Sequence, residues 1–472
     1  MLNHTKIFEN ISQKWDNDII PQLCEYIKIP NKSPMFDTNW EKNGYMDQAM
    51  DLIVKWCEKQ AIKNMKLEVV RLPHRTPLLF IDIPGQIDES ILLYGHMDKQ
   101  PEMTGWQEGK GPWIPVMEGD KLYGRGGADD GYAVFSSLTA IAELQKQNIP
   151  HARCVVIIEG CEESGSFDLP FYLDHLKERI GIPSLVICLD TGCGNYEQLW
   201  STTSLRGLIG GTLTIEVLTE GIHSGIGSGV VPSTQIILRQ LLDRIENSET
   251  GEIFHPAFKV DIPESRLAEI KHTIAQIGER LFLDYPWAAK THSVSKDPVE
   301  LLLNRTWRAQ LSITGAEGFP SIENAGNVTL PKIAVKLSMR IPPSLNGDTA
   351  QKTLEKILLE NPPFDAKISF KSDEAGFGWN APELSDWLAA ANEKASQCFF
   401  NKPAAYIGEG GSIPFIAKLQ VMFPKTQFIN TGVLGPKSNA HGPNEFLHIP
   451  MVKRLTACIT SIIADHYAHF AG

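Results

Sequence analysis

The sequence lacks the features that mark several broad classes of protein. Its 44 Lys and Arg residues are outnumbered by 56 Asp and Glu residues, so it has no excess of the basic charge that nucleic acid attracts. No apolar run approaches the roughly 18 residues of a membrane span. The first residues show no basic segment followed by a continuous apolar one, and they predict an amphipathic helix, not a signal peptide. We therefore expect a protein that binds neither nucleic acid nor membrane.

Paired cysteines and nucleotide-binding motifs are also lacking. The eight cysteines are scattered and form no CxxC pair, which suits reduced thiols better than a disulfide scaffold or a zinc ribbon. The glycine-rich stretches GRGG and GEGG belong to neither a P-loop nor a Rossmann fingerprint. These observations predict a globular, cytoplasmic protein.

The arrangement of predicted strands and helices indicates one domain inserted into another. A chain of 472 residues is long for a single domain. Short apolar strands alternate with helices in residues 1–205 and again in 375–472, which predicts an α/β/α catalytic domain with a mixed sheet. Residues 206–374 follow the order β, α, insertion, β, β, α, β of a compact, ferredoxin-like α+β unit. The insertion, at about 250–303, contains a predicted helix over 264–281, and we assign it no function.

Acidic and imidazole side chains follow the predicted strands of the first segment. In ILLYGHMDKQPEMTGW, residues 91–106, an apolar strand ends with His96 and Asp98, whose side chains point to the same side of an extended chain. Ligands of α/β sheets lie beyond the carboxyl ends of the strands, so groups that follow several strands are expected at one edge. The other members of the set are Asp129, Asp130, Glu162, Glu163, Asp190 and His441.

Taken singly, these residues have simpler interpretations. Asp129 and Asp130 fit N-cap and first-turn acids of the next helix, and Glu162 and Glu163 fit a solvated turn. Taken together, so much negative charge at one sheet edge is costly unless a cation lies among it. Histidines with carboxylates suit zinc, manganese, cobalt or nickel, whereas calcium prefers oxygen ligands alone. The set therefore predicts a divalent-metal site.

Five ordered motifs make the sequence resemble a known family. HMDKQP, GRGGADDG, EGCEESGS, LDTG and NAHGPNE are similar to the motifs of the M20 metallopeptidases, and within that family to the carnosinase-like dipeptidase branch. The resemblance covers nearly the full chain. It implies a phosphorylase/hydrolase-like catalytic domain and identifies the inserted α+β unit as the family's lid or dimerisation domain.

The resemblance also implies a role for each residue of the set. His96 would bind one metal, Asp129 would bridge two, Glu163 and Asp190 would each bind one, and His441 would complete the second site. The implied cofactors are two divalent ions per subunit, zinc with manganese or cobalt as alternatives. In the family, the peptide bond after the bridging acid is often cis.

Glu162 would act as the general base on a metal-bridging water in the hydrolysis of a dipeptide. Asp98 would accept a hydrogen bond from His96 and fix its tautomer.

Three further segments match residues that contact substrate in the family. His223 would reach the active site of the partner subunit, which implies a homodimer. Arg340 would bind the C-terminal carboxylate of the substrate, where planar bidentate recognition favours arginine over lysine. Gly411 and Ser412 would offer backbone N–H and hydroxyl donors to the same carboxylate.

Two other functions stay open. An N-acyl amino acid deacylase, such as a succinyl-diaminopimelate desuccinylase, uses the same chemistry, although the continuation after HMD, residues 99–101, resembles the peptidases. A catalytically silent metal-binding scaffold is disfavoured because the set is complete. The sequence also departs from its relatives, since Gly131 stands where a lysine is common and Gly442 where serine or alanine is usual.

Overall fold

A mixed six-stranded sheet forms the centre of the larger part of the chain. The computed structural model describes residues 2–278, 282, 285 and 287–472. The first two pairings across the sheet are antiparallel and the other three are parallel. In spatial order the strands are Lys66–Val70, Leu78–Ile83, Arg153–Glu159, Ser90–His96, Leu185–Cys188 and Gln427–Asn430.

Alternate residues of these strands are buried on opposite faces of the sheet. Leu93 and Val156 belong to one buried cluster, and Leu92 and Val155 belong to the other. Strands covered on both faces need continuous apolar sequences, which explains runs such as residues 154–158. Helices with buried residues in the first cluster are His4–Lys14, Ile20–Ile27, Tyr45–Glu58, Ala133–Lys146, Asp386–Phe400 and Ile449–Phe470; Leu169–Ile180 and Pro414–Met422 contribute to the second.

A four-stranded antiparallel sheet with its own core forms the α+β unit. Its strands in spatial order are Gln310–Glu317, Lys332–Ile341, Gly207–Glu216 and Lys367–Ser372. The helices Thr234–Leu242 and Gly347–Leu359 pack on this sheet around a separate hydrophobic cluster. The chain order is βαββαβ, so the predicted fold class, an α/β domain carrying an α+β unit, is confirmed. The exact domain boundaries stay a prediction.

The insertion at about 250–303 packs against the larger α/β part. Its helices Glu264–Ile277 and Pro298–Thr306 bury apolar residues in the first cluster of the central sheet and contact the strand Ala405–Glu409. The Thr273 hydroxyl donates to the carbonyl of Tyr406 at 2.6 Å. Residues 279–281, the end of the helix predicted over 264–281, lie outside the described residues.

Smaller sheets and short helices complete the structure. None of the helices in the described ranges is long and apolar enough to cross a bilayer. The minor sheets are Trp379–Asn380 with Trp200–Leu205 and Ala405–Glu409, Phe446–His448 with Lys121–Tyr123 and Val116–Glu118, and Ile222–His223 with Val328–Thr329. The short helices are Trp15–Ile19 (π), Trp40–Asn43, Ser224–Gly227, and the 3₁₀ turns Glu162–Ser164, Pro256–Phe258, Ile322–Asn324 and Pro363–Asp365.

Candidate metal centre

Three neighbouring parallel strands end at the same edge of the central sheet, and each brings site residues there. The first strand ends at His96, the second leads into the turn that begins with Glu162 and Glu163, and the third is followed by Asp190. Parallel pairing aligns the carboxyl ends of the strands, so these side chains share one edge. The sequence order of strands and acids thus produces a spatial cluster.

Asp129 joins two groups of potential metal ligands. Its Oδ1 lies 3.1 Å from His96 Nε2, which is also 3.7 Å from Asp190 Oδ1. Its Oδ2 lies 3.1 Å from His441 Nε2, which is also 3.4 Å from Glu163 Oε2. Within each group the potential ligand atoms all lie within 4.8 Å of one another. The structure therefore brings all five predicted ligands together, with Asp129 common to both groups.

The electrostatics of the cluster favour a cation. Burial, followed by repulsion from Asp190, raises the pKa of Glu162 well above its usual range. Burial also raises the pKa values of Glu163 and Asp190. Burial acts on the Asp129 pKa in the same direction, but bonds to the two histidines outweigh it and lower that pKa. Imidazole and carboxylate donors with excess buried negative charge fit a divalent ion such as zinc, manganese or cobalt.

Asp98 orients both His96 and the acidic turn. His96 Nδ1 lies 3.1 Å from the backbone carbonyl of Asp98 and 3.5 Å from its Oδ1, so the nearer acceptor is the carbonyl and not the predicted carboxylate. The two carboxylate oxygens accept the backbone N–H groups of Glu162 and Glu163, each at 3.0 Å. Asp98 therefore fixes where the turn places its two glutamates.

A buried ion pair ties together the loops that carry Asp129 and His441. Arg125 Nη1 lies 2.6 Å from Glu445 Oε2, and Arg125 Nη2 donates to the Gly442 carbonyl at 2.8 Å. The other oxygen of Glu445 accepts the N–H groups of Gly126 and Ala128. Because 59% of the His441 side chain is exposed, this tie is an important constraint on the position of its loop.

Replacing Arg125 by lysine should weaken metal binding at the His441 group. Lysine keeps the charge beside Glu445 but cannot reproduce the fork that also binds Gly442. Loss of a group that orients a ligand typically costs about 10–100-fold in metal affinity, and calorimetric titration of metal-free protein would measure it.

Arg153→Lys is the matched control for this titration. Arg153 also binds one carboxylate, that of Asp82, and two backbone carbonyls, those of Ile180 and Arg179. It lies at the start of the strand Arg153–Glu159, at the end away from the acidic turn. Equal affinities in the two variants would contradict a positioning role for Arg125.

A cavity of about 270 Å³ adjoins the ligand cluster and connects it to the predicted substrate residues. Asp129, Glu162 and His441 line one part of it, and Gly411 and Ser412 line another. Arg340 Nη1 lies 3.5 Å from Ser412 Oγ, at the limit of a hydrogen bond. A small molecule in this cavity would contact both the acidic cluster and the predicted carboxylate-binding loop.

His223 is not brought to this cavity. It lies in the exposed two-stranded sheet, where its Nδ1 accepts the Gly225 N–H at 3.0 Å, and it is absent from the described residues that line the cavity. His223 therefore lies away from the cavity of its own chain.

The departure at Gly131, next to Asp130, has a steric explanation. The Asp129–Asp130 peptide bond is cis, and Asp130 Oδ2 accepts the backbone N–H of His96 at 3.2 Å. A Cβ at Gly131 would lie 2.2 Å from Tyr26 Cε1 and 2.6 Å from the Gly126 carbonyl oxygen, so the usual lysine has no room. The change at position 131 accompanies the packing of Tyr26 and leaves the ligands in place.

Sequence reasoning missed several residues that shape the site. Gln100 donates to Glu163 Oε2 at 2.5 Å, and Arg305 and Glu409 line the cavity. Gln100 lies within the HMDKQP motif and Glu409 within GEGG, so both were visible as motif members. Arg305 lies in the last turn of the helix Pro298–Thr306 and carries no local signal.

Comparison with known proteins decides the family. The sequence profile described as "Peptidase family M20/M25/M40" matches residues 92–465, which is most of the chain. The chain belongs to this peptidase family. Membership confirms the predicted family and the predicted enzyme class, a metallopeptidase or related amidohydrolase, and it implies that the protein binds divalent metal.

Individual relatives agree with this assignment. The Cys-Gly metallodipeptidase dug1 of Schizosaccharomyces pombe is 24% identical over 470 residues, which cover 94% of each chain. The Beta-Ala-His dipeptidase of Rattus norvegicus is 27% identical over 353 residues, 70% of this chain and 67% of that protein. The crystal structure of human carnosine dipeptidase 1 superposes with a TM-score of 0.77 at 18% identity, covering 98% and 99% of the two chains. That likeness establishes the fold, and the sequence relatives named as dipeptidases confirm the predicted carnosinase-like branch.

Proposed function

We propose that this M20 family member is a dipeptidase that uses two divalent metal ions, most simply zinc, with manganese or cobalt as alternatives. The observation that carries the proposal is the position of Asp129, whose two oxygens each lie 3.1 Å from a different histidine, His96 and His441. Relatives named as Cys-Gly and Beta-Ala-His dipeptidases support dipeptides as the substrate class.

The ligand groups divide between two metals. His96 and Asp190 would hold one ion, Glu163 and His441 the other, and Asp129 both. Metals bound here would polarise the scissile carbonyl and lower the pKa of water. Imidazole nitrogens and carboxylate oxygens are suitable donors for this purpose.

Glu162 is the proposed general base. It lines the cavity but belongs to neither ligand group, so its carboxylate stays available for proton transfer. Its position is fixed because its backbone N–H donates to Asp98. Glu162 would take a proton from the attacking water and pass it to the departing amine, and such a base contributes about 10²–10⁴-fold.

The substrate's C-terminal carboxylate is proposed to bind at the outer part of the cavity. Ser412 lines the cavity, and Arg340 Nη1 lies 3.5 Å from its Oγ. Gly411 leaves open space because no atom lies within 4 Å of the position of a Cβ. A guanidinium with neighbouring hydroxyl and N–H donors suits a carboxylate. This arrangement would place the amide bond between Arg340 and the metal ligands.

A homodimer is proposed from the position of His223. Its imidazole is exposed and separate from the cavity of its own chain, so it would act in the partner's site. All eight cysteines, each within the described ranges, are free thiols, which supports the proposed cytoplasmic location.

Hydrolysis assays on two substrate panels test the function. Metal-loaded protein should cleave dipeptides, and cleavage of N-succinyl and N-acetyl amino acids should be slower. Mass spectrometry of the products would identify the broken bond. Cleavage of acyl amino acids alone would replace the proposal by a deacylase, and no cleavage of either panel would indicate a silent metal-binding protein.

A further inference from the structure

Three arginines converge on the loop at the outer side of the cavity. We call them the arginine cluster: Arg206, Arg305 and Arg340. Arg206 Nε donates to the Gly410 carbonyl at 3.2 Å, and Arg305 Nη2 lies 3.2 Å from Glu409 Oε2. A Cβ at Gly410 would lie 3.1 Å from Arg206 Nη2 and 3.5 Å from Arg305 Cγ. The loop therefore contacts both Arg206 and Arg305.

The positive charge of the arginine cluster exceeds its negative charge. Among the described residues, Glu409 is the sole carboxylate within ion-pair distance of the cluster. Arg206 Nη1 donates to the backbone carbonyls of Asn304 and Arg308, which carry no net charge. Burial, followed by repulsion from Arg340 and Arg305, lowers the pKa of Arg206 to about 10. An additional anion would relieve this repulsion.

Arg305 is the member of the arginine cluster that faces the catalytic acids. It lines the same cavity as Glu162 and Asp190, and 29% of its side chain is exposed. It also walls a second cavity of about 250 Å³, which Arg206 lines too. A group that extends from a substrate held by Arg340 would therefore meet Arg305.

We propose that the arginine cluster selects a second carboxylate, so that the preferred substrates are dipeptides whose C-terminal residue is aspartate or glutamate. Arg340 would bind the α-carboxylate, and Arg305 would bind the side-chain carboxylate in exchange for Glu409. Arg206, fixed by backbone carbonyls, would add a permanent charge behind the site. This inference rests on the proposed dipeptidase function, because it assigns the substrate class of the same site.

A pair of isosteric substrates isolates the charge of the side chain. The measured quantity is the ratio of kcat/KM for Ala-Glu to that for Ala-Gln, with Ala-Asp and Ala-Asn as a second pair. Glutamine has nearly the shape of glutamate but no charge, so wild-type protein should favour Ala-Glu by about 10–100-fold, the usual effect of a hydrogen bond between charged groups. In Arg305→Met, the ratio should fall towards one.

Two further variants sharpen the test. Glu409→Gln removes the competing carboxylate and should raise the ratio, opposite to Arg305→Met. Arg308→Met is the matched control, because Arg308 follows the same helix and pairs with Glu300, away from the cavity lining. Its ratio should equal that of the wild type.

The outcomes separate this inference from the proposed function. Equal cleavage of Ala-Glu and Ala-Gln by wild-type protein, or a ratio that Arg305→Met leaves unchanged, would overturn acidic selectivity while dipeptidase activity stands. Absence of cleavage of every dipeptide would instead overturn the proposed function. Measurements of metal content and thermal unfolding establish whether each variant is folded. If Arg305→Met does not fold, an unchanged ratio of kcat/KM in Glu409→Gln overturns the inference.

Discussion

Glu162→Gln should bind metal like the wild-type protein and lose activity by about 10²–10⁴-fold or more, since glutamine cannot accept the proton from water. Glutamine keeps the size of the side chain and the backbone bond to Asp98. Because Glu162 belongs to neither ligand group, metal content should be unchanged. Steady-state kinetics together with elemental analysis of the purified variant would measure both quantities.

The neighbouring residue gives the comparison for this prediction. Glu163→Gln alters a proposed ligand in the same turn, so it should lose metal and activity together. A Glu162→Gln protein as active as the wild type would show that Glu162 is not the base. Loss of metal from Glu162→Gln would show instead that it acts as a ligand.

Asp129→Ala should lose both metals and all measurable activity, whereas Asp190→Ala should lose one metal. Asp129 contributes an oxygen to each ligand group, and Asp190 contributes to the His96 group alone. Removing the shared carboxylate also removes the oxygen that lies 3.1 Å from Nε2 of His96 and the oxygen that lies 3.1 Å from Nε2 of His441. Elemental analysis after dialysis would count the metals that each variant retains.

A different metal count would change the interpretation of the cluster. One metal retained by Asp129→Ala would mean that Asp129 does not bridge. Wild-type turnover that is insensitive to chelators would contradict metal-dependent catalysis altogether.

The sequence predicted the fold class, and it predicted that His96, Glu163 and Asp190 would lie at one sheet edge, because both expectations depend on local patterns. Apolar strands that run directly into His96 or towards Asp190 place these side chains at strand ends, and parallel pairing then aligns those ends. The convergence of His441 with Asp129 was different, since it rested on the motif resemblance. Nothing in the local sequence of a loop specifies which distant residue it will contact.

Other contacts could not be predicted because they join residues far apart in the chain. The carboxylate of Asp98 binds two backbone N–H groups 64 and 65 residues away, and no side-chain pattern reveals an acceptor for backbone groups. Arg305 reaches the cavity because its helix packs on the central α/β part. The sequence around Arg305 is that of an ordinary amphipathic helix, so tertiary packing alone determines the position of Arg305.

The packing of the insertion separates substrate selectivity from the metal centre, two properties that could otherwise change together. The helix Pro298–Thr306 carries Arg305 to the cavity, while every proposed metal ligand comes from other segments. Substitutions at exposed positions of the helix Pro298–Thr306 would therefore change substrate selectivity and leave the proposed metal ligands unaltered. Substrate selectivity can therefore change through the exposed positions of one helix whose buried residues, Leu302 and Leu303, keep it packed on the α/β part.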